Sequence, residues 1–440
     1  MSKKAIRWLY DELPNLVAGQ VLTAADAERL QDHYGALDDD GRPSLGLVIC
    51  SILGATLIGL GIILVFAHNW AELSRPLRAF LSFAPLLAGQ LLVGWVLLRR
   101  QDSRAWCEGS AVFLMAAVGA AIALVGQTYH ISGDPEAFVL SWMLLGLPLS
   151  YLLRASAPVA FYWVGISCWA WMAHDWAGSG NQLWFWALAA LAAPPVWQTV
   201  RRDPRSPRAA FLLWVVGICL CIGYGLSFKQ GLGGGWILGY GGLLASFYLF
   251  DTGWPQQVSG WRRPWHVIGS LGIVVLSLLL TFETWSRRAN WDRLAELWAQ
   301  DPWLAAHWLL QSTLTLLLVG LAFWLLQRRL RSGRRDGLLF AAVAPLALVC
   351  YLLALFDVEG GALLAFNIYL AVLGVGTLRS GLRSGRLIQV NGGLVIITAL
   401  IAARFFDSDL PFTVRVVLFI LIGVGFLAAN ILAKKNRGAK

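Results

Sequence analysis

Long apolar runs, separated by short polar or basic segments, recur along the chain from Ser44 onward. A helix of about 20 apolar residues crosses the hydrocarbon core of a bilayer, and most of these runs approach or reach that length. The pattern therefore predicts an all-α, polytopic membrane protein with about 14 transmembrane helices. The predicted spans lie at about 44–67, 77–98, 106–127, 137–153, 157–173, 182–199, 209–227, 234–250, 264–282, 305–327, 337–356, 361–378, 387–403 and 412–433.

The first 42 residues have a different, amphipathic pattern. Their apolar positions at helical spacing are Ile6, Leu9, Tyr10 and Leu13. Thr23 followed by Asp26 is typical of a capping box and predicts the start of a second helix. We predict that residues 1–42 form a cytoplasmic amphipathic helical hairpin, which lies on the membrane or binds a protein partner.

The remaining chain divides into a transmembrane helical domain at residues 43–433 and a basic cytoplasmic tail at residues 434–440. One loop of the domain is long enough for structure of its own. Within it, Trp291 and Trp298 share a helical face, which predicts an amphipathic helix at about residues 286–303 in the outer interface.

Composition agrees with this assignment, because 58% of the residues are hydrophobic and only 14% are charged. The net charge of +10 would also suit a nucleic-acid partner, but most of the basic residues lie in short loops between apolar runs. That distribution is a topology signal. It predicts that both termini are cytoplasmic, excludes a nucleic-acid partner, and indicates a multi-pass protein of the bacterial cytoplasmic membrane.

Polar residues near the middle of the predicted spans are few and neutral. They are Gln90, Gln311 and Asn367. The absence of an ionisable residue at mid-span argues against a proton-driven transporter, whose relay needs such groups at depth. We expect these three side chains to form hydrogen bonds between helices.

Polar side chains concentrate instead at the predicted outer ends of the spans, where histidine can change protonation and arginine can bind phosphate or carboxylate. Each of them also has a structural interpretation as a helix cap, a turn residue or a headgroup contact. As a set they predict a ligand-binding site without metal or cofactor. Its residues are His68, Asn69, Trp70, Arg75, Arg78, Gln127, Tyr129, His130, Asp134, Arg404, Asp407, Asp409 and Arg415.

Catalytic motifs of the common hydrolase, metalloprotease and nucleotide-binding classes do not occur in the chain. Asp407 and Asp409 have a spacing that can hold a divalent ion. We therefore keep a metal-dependent membrane glycosyl- or phosphotransferase as an alternative function, and a membrane assembly factor as another.

Three motifs resemble a bacterial family of predicted membrane proteins, the domain of unknown function numbered two-one-five-seven. They begin at Val17 (VAGQVLTAADA), at Ala67 (AHNW) and at Gly126 (GQTYHISGDP). The segment from Arg404 (RFFDSDLP) resembles the ending of a related uncharacterised membrane family. The resemblance implies a multi-span protein with an N-terminal cytoplasmic hairpin and supplies no catalytic residues.

From these observations, the leading functional hypothesis is binding or translocation of an anionic or lipid-linked ligand at the outer face of the membrane. In this hypothesis the arginines contact the anion, and His68, His130 and Asp134 orient it. The lipid bilayer itself is the one other partner that the composition requires.

Overall fold

The structure is a computed structural model, and no strand occurs in the part of the chain that it describes. That part comprises residues 9–10, 12–14, 16–17, 19–34, 72–130, 133–153, 155–175, 181–204, 206–228, 235–251, 260–282, 302–333, 337–356, 361–407, 420 and 424.

Fourteen α-helices are numbered here in chain order within the described ranges, and two short 3-10 helices, Asn181–Trp184 and Gly260–Arg262, precede α6 and α9. The α-helices are α1 (Ala24–Tyr34), α2 (Arg75–Arg99), α3 (Arg104–Tyr129), α4 (Pro135–Leu152), α5 (Ala157–Asp175), α6 (Phe185–Arg202), α7 (Pro207–Leu226), α8 (Gly235–Asp251), α9 (Pro264–Leu279), α10 (Pro302–Arg331), α11 (Leu338–Ala341), α12 (Val343–Leu355), α13 (Gly361–Ser384) and α14 (Leu387–Asp407).

The helices confirm an all-α membrane protein. Each predicted span between residues 77 and 403 coincides with a helix, except 337–356, which is divided between α11 and α12. Seven described helices are long and apolar enough to cross a membrane. The predicted span 44–67 lies outside the described residues, as do the predicted span 412–433, apart from residues 420 and 424, and the predicted interfacial helix up to residue 301. The total number of spans and the cytoplasmic position of both termini therefore stay predictions.

Two compact units make up the chain, Met1–Arg78 and Ala79–Lys440. In the first unit, the predicted cap is present at the start of α1. The Asp26 backbone N–H donates to the Thr23 hydroxyl at 3.2 Å, and that hydroxyl donates to the Asp26 carboxylate at 2.5 Å. The first bond pairs one backbone N–H of the helix N-terminus, and the second fixes the Thr23 hydroxyl in the capping position. The proposed hairpin and the other domain boundaries stay predictions.

The second unit contains two large hydrophobic clusters. The first is built from α2 to α7 around residues such as Met115 and Trp163. The second is built mainly from α8 to α14 around residues such as Phe366. A smaller cluster centred on Tyr224 contacts residues of α6 to α10. The helices α5 to α9, which meet where the first two clusters adjoin, surround the site described below.

Candidate functional site

The structure describes seven of the predicted outer-face residues as complete side chains: Arg75, Arg78, Gln127, Tyr129, His130, Asp134 and Arg404. Asp407 ends α14, but its side chain lies outside the described part of the chain. His68, Asn69, Trp70, Asp409 and Arg415 also lie outside it.

The turn between α3 and α4 carries four of these residues. His130 caps the C-terminus of α3 in the left-handed conformation, with φ of 53°, and its backbone N–H donates to the Gly126 carbonyl. Asp134 caps the N-terminus of α4 by accepting the Glu136 backbone N–H at 3.1 Å. Of the structural interpretations considered for these residues, Asp134 thus has that of a helix cap, whereas Gln127 and His130 expose their side chains.

Glu136, which was not among the predicted site residues, is buried beside this turn. Glu136 is only 7% exposed, and its carboxylate accepts a hydrogen bond from the Asn181 side-chain amide at 3.5 Å. The segment from Gly126 to Phe138 therefore holds two carboxylates and no arginine or lysine. This local charge favours a cation or a hydrogen-bond donor over an anion.

Arg404 has a structural role at another place in the unit. Its guanidinium donates to the Thr281 carbonyl just after α9 and lies over the Phe282 ring, 5.4 Å from the centroid. It thereby joins α14 to the C-terminal end of α9, where a positive charge is favourable. Arg78 donates to the Leu73 carbonyl at 2.8 Å within the first unit.

The expectation for Asn367 was wrong. Its side-chain amide donates to the Leu363 carbonyl of its own helix at 2.8 Å, and it forms no bond between helices in the described structure. Gln90 is exposed on α2. A polar contact between helices does occur near Gln311, where the Tyr224 and Thr315 hydroxyls lie 3.0 Å apart.

A cavity of about 420 Å³ lies among α5 to α9, in a position that no sequence motif indicated. Its wall is apolar apart from one arginine side chain and the tryptophan N–H groups. The residues that line it are Trp163, Trp186, Ala189, Ala190, Ala193, Val196, Trp197, Val200, Leu213, Val216, Leu220, Phe250, Arg262, Pro264 and Trp265.

One face of α6 forms the long wall of the cavity. Lining residues recur along it from Trp186 to Val200 at spacings of three or four, which places them on one side of a helix. The alanines in this row leave space that larger side chains would fill. Ala190, Ala193 and Trp197 are exposed, the last by 60%, so the cavity opens to the outer surface of the helix bundle.

Hydrogen bonds hold two of the lining tryptophans in place. The Trp186 N–H donates to the Ser227 hydroxyl at 2.9 Å. The Trp265 N–H donates to the Leu213 carbonyl at 3.1 Å, and the Trp265 ring stacks on Phe247 with centroids 5.3 Å apart. Because these contacts with neighbouring helices fix both rings, the cavity is largely pre-formed.

The charged end of the cavity is formed by the 3-10 helix Gly260–Arg262 and the start of α9. Trp214 of α7 stacks on Trp261 at 5.4 Å and donates its N–H to the Trp261 carbonyl at 3.0 Å. This contact fixes the backbone next to Arg262. The Arg262 side chain is exposed, lines the cavity, and has no ion-pair or hydrogen-bond partner among the described residues.

The sequence did not predict this site, because a basic loop residue such as Arg262 is by itself only a topology signal. The available signal was the alanine-rich face of α6 opposite several tryptophans. Among the described residues there is no cluster of three or more His, Cys, Asp or Glu side chains that could hold a metal ion. The apolar wall of the cavity suits an organic, largely apolar ligand.

Comparison with known proteins gives one match. No curated protein and no solved structure matches the chain. Residues 14–159 match the model of a family described as predicted membrane protein (DUF2157). The matched region ends just inside α5, so the cavity lies almost entirely beyond it. The resemblance of the first part of the chain is thus confirmed: this region is similar to a family of predicted membrane proteins, in agreement with the membrane-spanning helices of the fold.

Proposed function

We propose that this protein binds a lipid or lipid-linked ligand, whose hydrocarbon chain occupies the cavity among α5 to α9. The observation that carries the proposal is the cavity itself, which is pre-formed and apolar and opens to the outside of the bundle beside Ala190 and Trp197. Its volume of about 420 Å³ is within the usual range of ligand sites, roughly 300–1,000 Å³.

The position of the cavity supports a membrane ligand over a water-soluble one. It lies against α7, one of the helices long and apolar enough to span a membrane. Its row of lining residues on α6, from Trp186 to Val200, extends about 21 Å at roughly 1.5 Å per residue. One leaflet is about 15 Å deep, half of the ~30 Å hydrocarbon core. The row of lining residues is therefore long enough to hold an extended lipid chain that crosses one leaflet.

This proposal keeps the class of ligand expected from the sequence and assigns it to a different set of residues. Binding at the outer-face residues, translocation of the ligand, and location in the bacterial cytoplasmic membrane remain proposals that rest on the sequence pattern alone.

A photoactivatable fatty-acid chain, bound to the purified full-length protein and mapped by peptide mass spectrometry, tests the proposal. We expect covalent attachment to cavity residues such as Trp197 and Leu220. Attachment confined to exposed apolar residues elsewhere, such as Leu91 of α2 or Leu317 of α10, would overturn it.

A further inference from the structure

The cavity has one electropositive end, and its charge identifies the headgroup that the ligand carries. Arg262 lines this end together with Val200, the residue that precedes Arg201 and Arg202 in the last turn of α6. All three arginines are exposed, and no described carboxylate pairs with them. A positive charge at the end of an apolar cavity is complementary to an amphiphile with an anionic head.

The N-terminus of α9 adds to this field. Pro264 and Trp265 begin α9 and line the same cavity, and the N-cap residue Arg263 makes no side-chain cap bond. An uncapped helix N-terminus presents backbone N–H groups and the positive end of the helix dipole, both of which favour a phosphate. Arg262 and this terminus therefore attract an anion to one place.

Resting on the proposed function, we infer that the ligand is an anionic lipid whose phosphate group binds Arg262 while its chain lies along α6. The charge distribution of the loops assigns this end of the cavity to the cytoplasmic face. A guanidinium can bind a phosphate through two parallel N–H donors, which makes it more selective than a simple point charge. A soluble anion would bind Arg262 but leave the apolar part of the cavity empty. A lipid with an anionic headgroup fills the apolar part with its chain and also places its charge beside Arg262.

The test compares phosphatidic acid with phosphatidylcholine of identical chains, each titrated onto delipidated full-length protein and measured by native mass spectrometry. The first lipid should bind about tenfold more tightly, the effect expected of one charged hydrogen-bonded contact. Arg262→Gln should abolish this preference. The matched control, Arg383→Gln, removes an exposed arginine from the last turn of α13, away from the cavity, and should preserve it.

The result also separates this inference from the function on which it rests. Arg262 is exposed and has no partner among the described residues, so its replacement should not alter folding, which a thermal unfolding curve checks. If both lipids bind equally and Ala193→Phe weakens both, the cavity binds lipid but the headgroup assignment is wrong. If neither lipid binds, or Ala193→Phe weakens neither, the lipid-binding proposal itself fails. Retention of the tenfold preference in Arg262→Gln would overturn the role of Arg262.

Discussion

The Glu108 carboxylate lies 3.5 Å from the Arg208 guanidinium, although the two residues belong to different helices, Glu108 to the N-terminal part of α3 and Arg208 to the first turn of α7. The same carboxylate accepts the Ser156 hydroxyl at 2.6 Å, the Ser156 N–H at 2.8 Å and the Ala157 N–H at 2.7 Å. One side chain therefore caps the N-terminus of α5 and joins three helices. Two of them, α5 and α7, form walls of the cavity.

We expect Glu108→Gln to destabilise the protein by roughly 1–3 kcal/mol, the cost of disrupting hydrogen bonds to a partly buried charge. The amide has a single acceptor oxygen, so its NH₂ group would face a backbone N–H that now meets a carboxylate oxygen. Thermal unfolding of the purified protein in detergent measures the change.

Asp102→Asn is the matched control, because Asp102 is exposed just before α3 and has no hydrogen bond or ion pair among the described residues. It should leave the unfolding temperature unchanged. If both variants lowered the unfolding temperature equally, Glu108 would contribute no more to stability than a surface carboxylate.

Two substitutions of His130 distinguish the effect of its backbone conformation on stability from the effect of its side chain. Its φ of 53° is disfavoured by β-branched residues and accepted by glycine. His130→Val should therefore lower stability by ~1–2 kcal/mol, whereas His130→Gly should fold as well as the parent. If His130→Gly loses stability as His130→Val does, the imidazole rather than the backbone conformation stabilises the turn.

Arg404 was predicted to contact a ligand, and its contacts with Thr281 and Phe282 lead to a different expectation. Arg404→Met should lower the unfolding free energy by roughly 1–3 kcal/mol, because the Thr281 carbonyl loses a charged donor. Arg379→Met, at an exposed position of α13, is the control and should have little effect. Unchanged stability of Arg404→Met, combined with loss of anion binding, would restore the ligand-binding interpretation.

The packing of α8 against α10 predicts different effects for two glycines of the same helix. A Cβ at Gly242 would lie 2.8 Å from the Leu318 carbonyl carbon and the Val319 nitrogen, both backbone atoms, whereas a Cβ at Gly235 would meet nothing within 4 Å. Gly242→Ala should cost ~1–3 kcal/mol through overpacking. Gly235→Ala should be close to neutral, since its Cβ meets nothing and Gly235 is the first residue of α8, where the propensity difference of a helix interior is not fully expressed. Thermal unfolding of both variants tests this prediction. If Gly235→Ala lowered stability as much as Gly242→Ala, the close packing of α8 against α10 at Gly242 would be contradicted.

The helices were predictable because a span must be apolar over a fixed length, and length and hydropathy are local properties. The caps formed by Thr23 and Asp134 were also predictable, since each residue bonds to a neighbour two or three positions away. These features need no knowledge of how the helices pack.

The Glu108 cap and the cavity could not be predicted in this way. Glu108 meets residues 48 and 49 positions away and Arg208 beyond them, so its role depends on which helices are neighbours. An alanine on α6 borders a cavity only if the side chains of the facing helices leave that space empty. The sequence pattern of one helix does not contain this information. Arg262 appeared to be one of many basic loop residues until the fold placed it at the end of that cavity.

Binding of phosphatidic acid to Ala193→Phe and Ala187→Phe variants tests lipid binding in the cavity most directly. Both alanines are exposed on α6, so either phenylalanine should be tolerated by the fold, but only Ala193 lines the cavity. The account predicts at least tenfold weaker binding for Ala193→Phe, since its ring fills space needed by the chain, and parental affinity for Ala187→Phe. Equal affinities for the two variants would contradict it.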